Sequence, residues 1–118
     1  MVKKLELSVG QYSSEGIKQI NQDYHAVMIP SEPLLGSKGI TLALADGISS
    51  STVSQIASAT AINGFIQDYY STSDAWSVKT SAQRVLKATN SWLYAQTQNS
   101  PYRFNKDKGF ICTFSAII

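Results

Sequence analysis

Two aspartates in this sequence stand where a hard cation would want them. Asp46 closes the run Gly39-Ile40-Thr41-Leu42-Ala43-Leu44-Ala45 and is followed at once by Gly47. Such an apolar run is driven into a core, so its final carboxylate emerges at a rim, beside a glycine whose backbone can approach a ligand closely. Asp23 opens a second run, Tyr24-His25-Ala26-Val27-Met28-Ile29. If the two runs pair antiparallel, the start of one lies beside the end of the other, and the carboxylates share one rim. They then repel unless a cation or a shared proton sits between them. Mg²⁺, Mn²⁺ and Ca²⁺ prefer this kind of oxygen donor. Lys18, five residues before Asp23, either offers a positive charge to an anionic substrate at that rim or is a solvated loop lysine. The competing reading of Asp46-Gly47 is a plain turn, since Asp-Gly is a common turn pair.

Other chemistry-bearing residues carry less. His25 is the only histidine and falls mid-strand, where a packed or half-exposed side chain is the ordinary outcome. No nucleophile-elbow sequence supports a Ser-His-Asp arrangement. Ser49-Ser50-Ser51 either cap a helix or cradle a phosphate at its N-terminus. Cys112, the only cysteine, has no internal disulfide partner and reads as an inert apolar residue of a reducing compartment. Trp76, Trp92 and the tyrosines read as core and interface, not as base-stacking platforms.

The elements that position the aspartates follow from periodicity. Leu5, Leu7 and Val9 alternate with Lys4, Glu6 and Ser8, a half-buried first strand. Gly10 to Gly16 is a turn-rich loop, Asp23 to Ile29 a second strand ended by Pro30, and Pro33 to Lys38 a loop. Gly39 to Ala45 is a third strand. Short polar loops between strands suggest an antiparallel sheet more than βαβ units. Val53, Ile56, Ala57, Thr60, Ala61, Gly64, Phe65 and Tyr69 then recur at helical steps. Gly64 within that helix implies a close contact that needs its lack of side chain. Tyr70 to Asp74 ends this helix and supplies caps for a second, carrying Ala82, Val85, Leu86, Thr89, Trp92, Leu93 and Gln96. Two such helices with a short connection pack antiparallel. Asn99-Ser100-Pro101 breaks the second, and Gly109 to Ile118 reads as a fourth strand.

The expected fold class is therefore α+β: an antiparallel sheet of about four strands with two long antiparallel helices on one face. At 118 residues the chain is one domain or part of one. Charged residues make up only 15%, which implies that much of the surface is covered, by the chain itself or by something else. Net charge is +2 and no basic run exceeds Lys3-Lys4, so neither a nucleic-acid nor a membrane partner is indicated. No apolar run has signal-peptide or transmembrane length, and the expected location is the cytoplasm. The apolar ending at Ile118 implies a domain truncated at its C-terminus, whose uncovered sheet face is expected to associate with a second copy or with the missing half.

The order of Gly16-Ile17-Lys18-Gln19-Ile20-Asn21-Gln22-Asp23, then Ala43-Leu44-Ala45-Asp46-Gly47, two helices, and Gly109-Phe110-Ile111-Cys112-Thr113-Phe114 resembles the N-terminal half of the PP2C-like (PPM) metal-dependent serine/threonine phosphatases. Bacterial members, some fused to a protein kinase, look most similar. In that family a basic residue precedes an Asn-Glu-Asp or Asn-Gln-Asp triplet, a strand ends in Asp-Gly, and a Gly-x-Thr-Thr-type strand follows two helices. The resemblance runs from about Val9 to Ile118 and implies part of an α-β-β-α sandwich.

The resemblance further implies that Asp46 bridges two Mn²⁺ or Mg²⁺ ions and that the Gly47 carbonyl ligates one of them. Asp23 would act from behind the metal waters, Gln22 would join the metal shell where the family often has a glutamate, and Lys18 would hold phosphate. The implied reaction is hydrolysis of phosphoserine or phosphothreonine in a protein, by direct attack of water without a phosphoenzyme. The implied partners are a phosphoprotein substrate and a protein kinase domain in the same chain or pathway. The chain departs from the family pattern in four ways. Lysine at 18 lacks the arginine fork, glutamine at 22 removes a charge, and Ile48-Ser49-Ser50-Ser51 replaces a glycine-rich continuation. Further aspartate ligands of the family come from a C-terminal half beyond Ile118, so this stretch alone is expected to be inactive. The alternative function is a non-catalytic, phosphatase-like regulatory or interaction module.

Overall fold

The computed structural model describes residues 6–118. The elements are β1 (Asp23–Met28), α1 (Leu34–Lys38), β2 (Thr41–Asp46), α2 (Ser54–Tyr70), α3 (Val78–Gln98) and β3 (Ser115–Ile117), with one 3₁₀ turn at Lys106–Lys108. The fold is α+β, with a three-stranded antiparallel sheet in the order β1-β2-β3.

Alternation along β2 decides which face the helices cover. Thr41, Ala43 and Ala45 are buried, whereas Leu42, Leu44 and Asp46 are exposed. Helix α2 lies on the first set: Ala43, Ala45 and Ile62 form one core cluster, joined by Tyr24, Ala26, Ile66, Cys112 and Phe114. A second cluster, Phe65, Tyr69 and Val85, joins α2 to α3. Burying side chains such as Ile62 and Phe65 contributes about 1.5–3 kcal/mol each. Thr60 and Gly64 face Ala88, Thr89 and Trp92 across the helix pair, while Phe65 and Tyr69 cluster with Val85, so the two helices run antiparallel. The buried stripe of α2 is graded, with Ser54, Ala57, Ser58 and Ala61 in its first half and Ile62, Phe65 and Tyr69 after them. Small residues let the helix approach closely at the end of the sheet that bears Asp46.

Several elements differ from expectation. Glu6 to Val9 form no strand, and Leu7 and Val9 are exposed; Leu5, which completed that pattern, lies outside the described residues. An alternating pattern is held only by a partner ladder, and β1 to β3 offer this segment none. The expected loop at Pro33 to Lys38 contains helix α1, whose Gly36 N–H donates to the Glu32 carboxylate at 3.1 Å. Only Ser115–Ile117 of the expected fourth strand joins the sheet, along with an isolated bridge between Cys112 and Gly47. Helix α2 begins at Ser54 with Val53 as its N-cap and no side-chain cap. Ser49 to Ser51 therefore do not cap it. Ser77 caps α3, accepting from Thr80 N–H at 3.1 Å. The α2 stripe is rotated relative to the expected one, leaving Ile56 exposed and burying Ser54, Ser58 and Ile62. No contact explains Gly64, since a Cβ there would meet nothing within 4 Å.

The other sheet face is open. Leu42, Leu44 and Ile117 lie on it, with Leu44 55% and Ile117 72% exposed, and Val9 to Tyr12 run along one side of the groove it forms with His25 and Val27. The molecule is correspondingly thin, 56 × 33 × 15 Å. Its radius of gyration is 16.0 Å, against about 13.5 Å for a globule of this length. Among the described residues no helix is long and apolar enough to cross a membrane.

At the end of the sheet away from Asp46, Lys38 is fully buried at 0% exposure. Its Nζ donates to Ser73 O at 2.9 Å, Trp76 O at 3.3 Å and Ser81 Oγ at 2.9 Å. Tyr69 Oη donates to Lys38 O and Tyr70 Oη to Gly39 O. These bonds lock α1 to the α2–α3 connection.

Candidate metal centre at the sheet rim

Asp23 and Asp46 are direct cross-strand partners, the last pair of the β1–β2 ladder. Both fall on the face away from α2, as the alternation of β2 requires. The backbone of Asp46 is pinned from the other side by Thr113: Asp46 N–H donates to Thr113 Oγ1 at 3.1 Å, and Thr113 N–H to Asp46 O at 2.7 Å. Gly47 N–H donates to Gln22 O at 3.0 Å. Asn21 Oδ1 accepts from Asp23 N–H at 3.0 Å, fixing the entrance to β1. A rigid ladder end thus holds the two carboxyls face to face.

The electrostatics follow. Asp23 is pushed above the ordinary carboxylate value of 3.8, first by a hydrogen bond shared with the Asp46 carboxyl, then by burial and by the negative charge of Asp46; the Lys18 ammonium pulls it back. Lys18 is exposed and close enough to the rim to act on Asp23. Because the folded value lies above the unfolded one, Asp23 contributes stability that is full below pH 3.8 and lost as pH rises through the raised value. In chelator-treated protein, urea midpoints should therefore fall across a window opening just above pH 3.8. Asp46→Asn should flatten that fall. Parallel curves for the two proteins would show that the carboxyls do not communicate.

The other sequence-predicted residues are placed as follows. Gly47 sits in a crowded turn, where a Cβ would lie 2.7 Å from Ser54 Cβ, 2.9 Å from Gln22 Cβ and 3.0 Å from Gln22 O. Gln22 does not join the carboxyl pair as a metal-shell residue: it lies beneath the rim, 8% exposed, its amide turned inward with Nε2 donating to Ile48 O at 2.9 Å and Ser51 O at 2.7 Å. The serines form no open phosphate cradle: Ser50 Oγ donates to Asp107 O, and Ser51 Oγ to Lys108 O and Gly109 O. His25 pairs with Leu44 on the open face and is half-buried. Cys112 is half-buried, and burial pushes its thiol up, which disfavours the reactive thiolate.

Sequence reasoning missed Thr113, Ser51 and Ser54 as supports of this end. Ser54 is fully buried and donates to Ile111 O at 2.8 Å. A serine or threonine that bonds a backbone 57 to 67 residues away leaves no mark in local periodicity. Among the described residues, no group of three or more His, Cys, Asp or Glu side chains gathers in a metal-binding set. The rim therefore offers a two-carboxylate donor set. Comparison with protein-family models, curated proteins and solved structures finds no match for this chain.

Proposed function

We propose that this chain carries the N-terminal part of a metal-dependent phosphoserine/phosphothreonine phosphatase site, within a PP2C-like α-β-β-α sandwich. The observation that supports it is the Asp23–Asp46 pairing at a rigid ladder end, with Gly47 next in the chain. Two carboxyls held at one rim fit a hard divalent cation, Mn²⁺ or Mg²⁺, whose oxygen preference they meet. Asp46 and the Gly47 carbonyl would hold it, with Asp23 alongside. Bound there, the cation supplies Lewis acidity toward a phosphate ester. Lys18 attracts the phosphate as a point charge, without the two-pronged grip of an arginine. Asp23, raised above its ordinary carboxylate value, would stand beside the cation as a candidate proton acceptor.

The test is calorimetric titration of Mn²⁺ into the chain and into Asp46→Ala. Saturable binding is expected, weakened on the order of 100-fold or more in the variant. Equal binding by both proteins would remove Asp46 from the site. A second reading, a non-catalytic interaction module, is favoured by the open apolar face with Leu42, Leu44 and Ile117. It expects Asp46→Ala to leave every interaction of the chain unchanged.

A further inference from the structure

We propose that Gln22 is a positioning residue for the rim and that its place in this chain requires an amide, which a carboxylate cannot replace. Gln22 precedes Asp23 in the chain, so strand alternation sends its side chain away from the carboxyl pair and into the protein. There its two amide hydrogens meet two main-chain oxygens, Ile48 O at 2.9 Å and Ser51 O at 2.7 Å. The same residue's carbonyl accepts Gly47 N–H at 3.0 Å. Three bonds from one residue thus grip the turn that follows Asp46. The orientation of the amide is fixed by its surroundings, because the flipped form would set Oε1 against both carbonyl oxygens.

The turn is held from the opposite side as well. Ile48 O also accepts Ser51 N–H at 3.2 Å, and Ser51 Oγ reaches the carbonyls of Lys108 and Gly109 while accepting Val53 N–H. Gly47 has no room to drift, given the near contacts of any Cβ there with Gln22 and Ser54. Gln22 on one flank and Thr113 on the other therefore set where the Asp46 carboxylate emerges. A glutamate at 22 has the same shape but no hydrogens to give, and it would press negative oxygen against two carbonyls. A methionine only withdraws the donors. The loss of function expected from either rests on the metal reading above; the hold on the turn does not.

Amide hydrogen exchange on the whole chain, as wild type, Gln22→Met and Gln22→Glu, tests this. The amides of Gly47, Ser51 and Val53 should exchange at least about tenfold faster in Gln22→Met and faster again in Gln22→Glu, with the α3 amides unchanged. If Gln22→Glu unfolds while Gln22→Met folds, the same order is read from urea midpoints. A purely steric role predicts the opposite order, with glutamate the better substitute; that order, or unchanged exchange in Gln22→Met, overturns the proposal. Parallel Mn²⁺ titration should show affinity reduced about 10- to 100-fold in both variants at intact α3 protection. The expected exchange order with no Mn²⁺ binding by wild type would uphold the role of Gln22 and remove the metal reading. Wild-type Mn²⁺ affinity retained in both variants would overturn the positioning role.

Discussion

Lys38→Ala is expected to lower the unfolding free energy by about 3–5 kcal/mol, read as a drop in urea midpoint at constant m-value. The argument begins with burial. Lys38 is entirely enclosed, and its three hydrogens go to Ser73 O, Trp76 O and Ser81 Oγ. A buried lysine is tolerated only when its donors are met in this way. Truncation opens a cavity three carbons and one nitrogen long and strands the oxygens that Nζ served, together at about 1–3 kcal/mol if no water replaces it. Lys38→Met separates the two costs: it keeps most of the volume and should lose only about 1–3 kcal/mol. A loss below about 1 kcal/mol in Lys38→Ala would mean that the α2–α3 connection is held by other contacts.

Gly47→Ala should cost about 1–3 kcal/mol through crowding alone. The added methyl would fall 2.7 Å from Ser54 Cβ and 3.0 Å from Gln22 O. The first is the start of α2 and the second the main chain entering β1, and neither is the movable tip of a long side chain. Relief requires either α2 or β1 to step back, and both movements displace Asp46. The loss of stability should therefore come with weakened Mn²⁺ binding. Gly64→Ala is the contrasting case: its methyl meets nothing within 4 Å, and removing a helical glycine should stabilise by up to about 1 kcal/mol. Equal effects at the two glycines would refute the crowding argument.

What the sequence made legible was governed by short-range patterns with one dominant cause. The apolar run into Asp46 produced β2, and Tyr24 to Met28 produced the body of β1. Their antiparallel pairing put Asp23 opposite Asp46, as the argument from strand ends required. The two long helices were equally readable, because apolar residues at three- and four-residue steps leave few other folds. Leu7 and Val9 show where that logic fails: alternation states a capacity for pairing but not the existence of a partner. The stripe of α2 was misplaced for a different reason. Serines at 54 and 58 look polar in sequence, yet both are fully buried where the helix comes closest to the sheet. Gln22 was expected among the metal-shell residues, and its turn away from the rim was not legible. That distinction lies in oxygens 26 and 29 residues farther along the chain. Lys38 was unreadable, since nothing local separates a loop lysine from one swallowed by a distant helix connection.

The ladder between β1 and β2 also acts as a proofreading device for the aspartates. Asp23 faces Asp46 in one registration only. A slip of one residue would turn Asp23 to the side covered by α2, exposing a bare carboxylate to an apolar layer. A slip of two would restore its side but separate the carboxyls by about 7 Å along the strand. Mutual repulsion alone would favour such a slip, so the observed alignment is imposed by what surrounds it. The alanines of β2 must meet α2, and Gly47 must reach Gln22 one step beyond the pair. Misaligned copies of this chain would thus lose the carboxyl pair along with the packing.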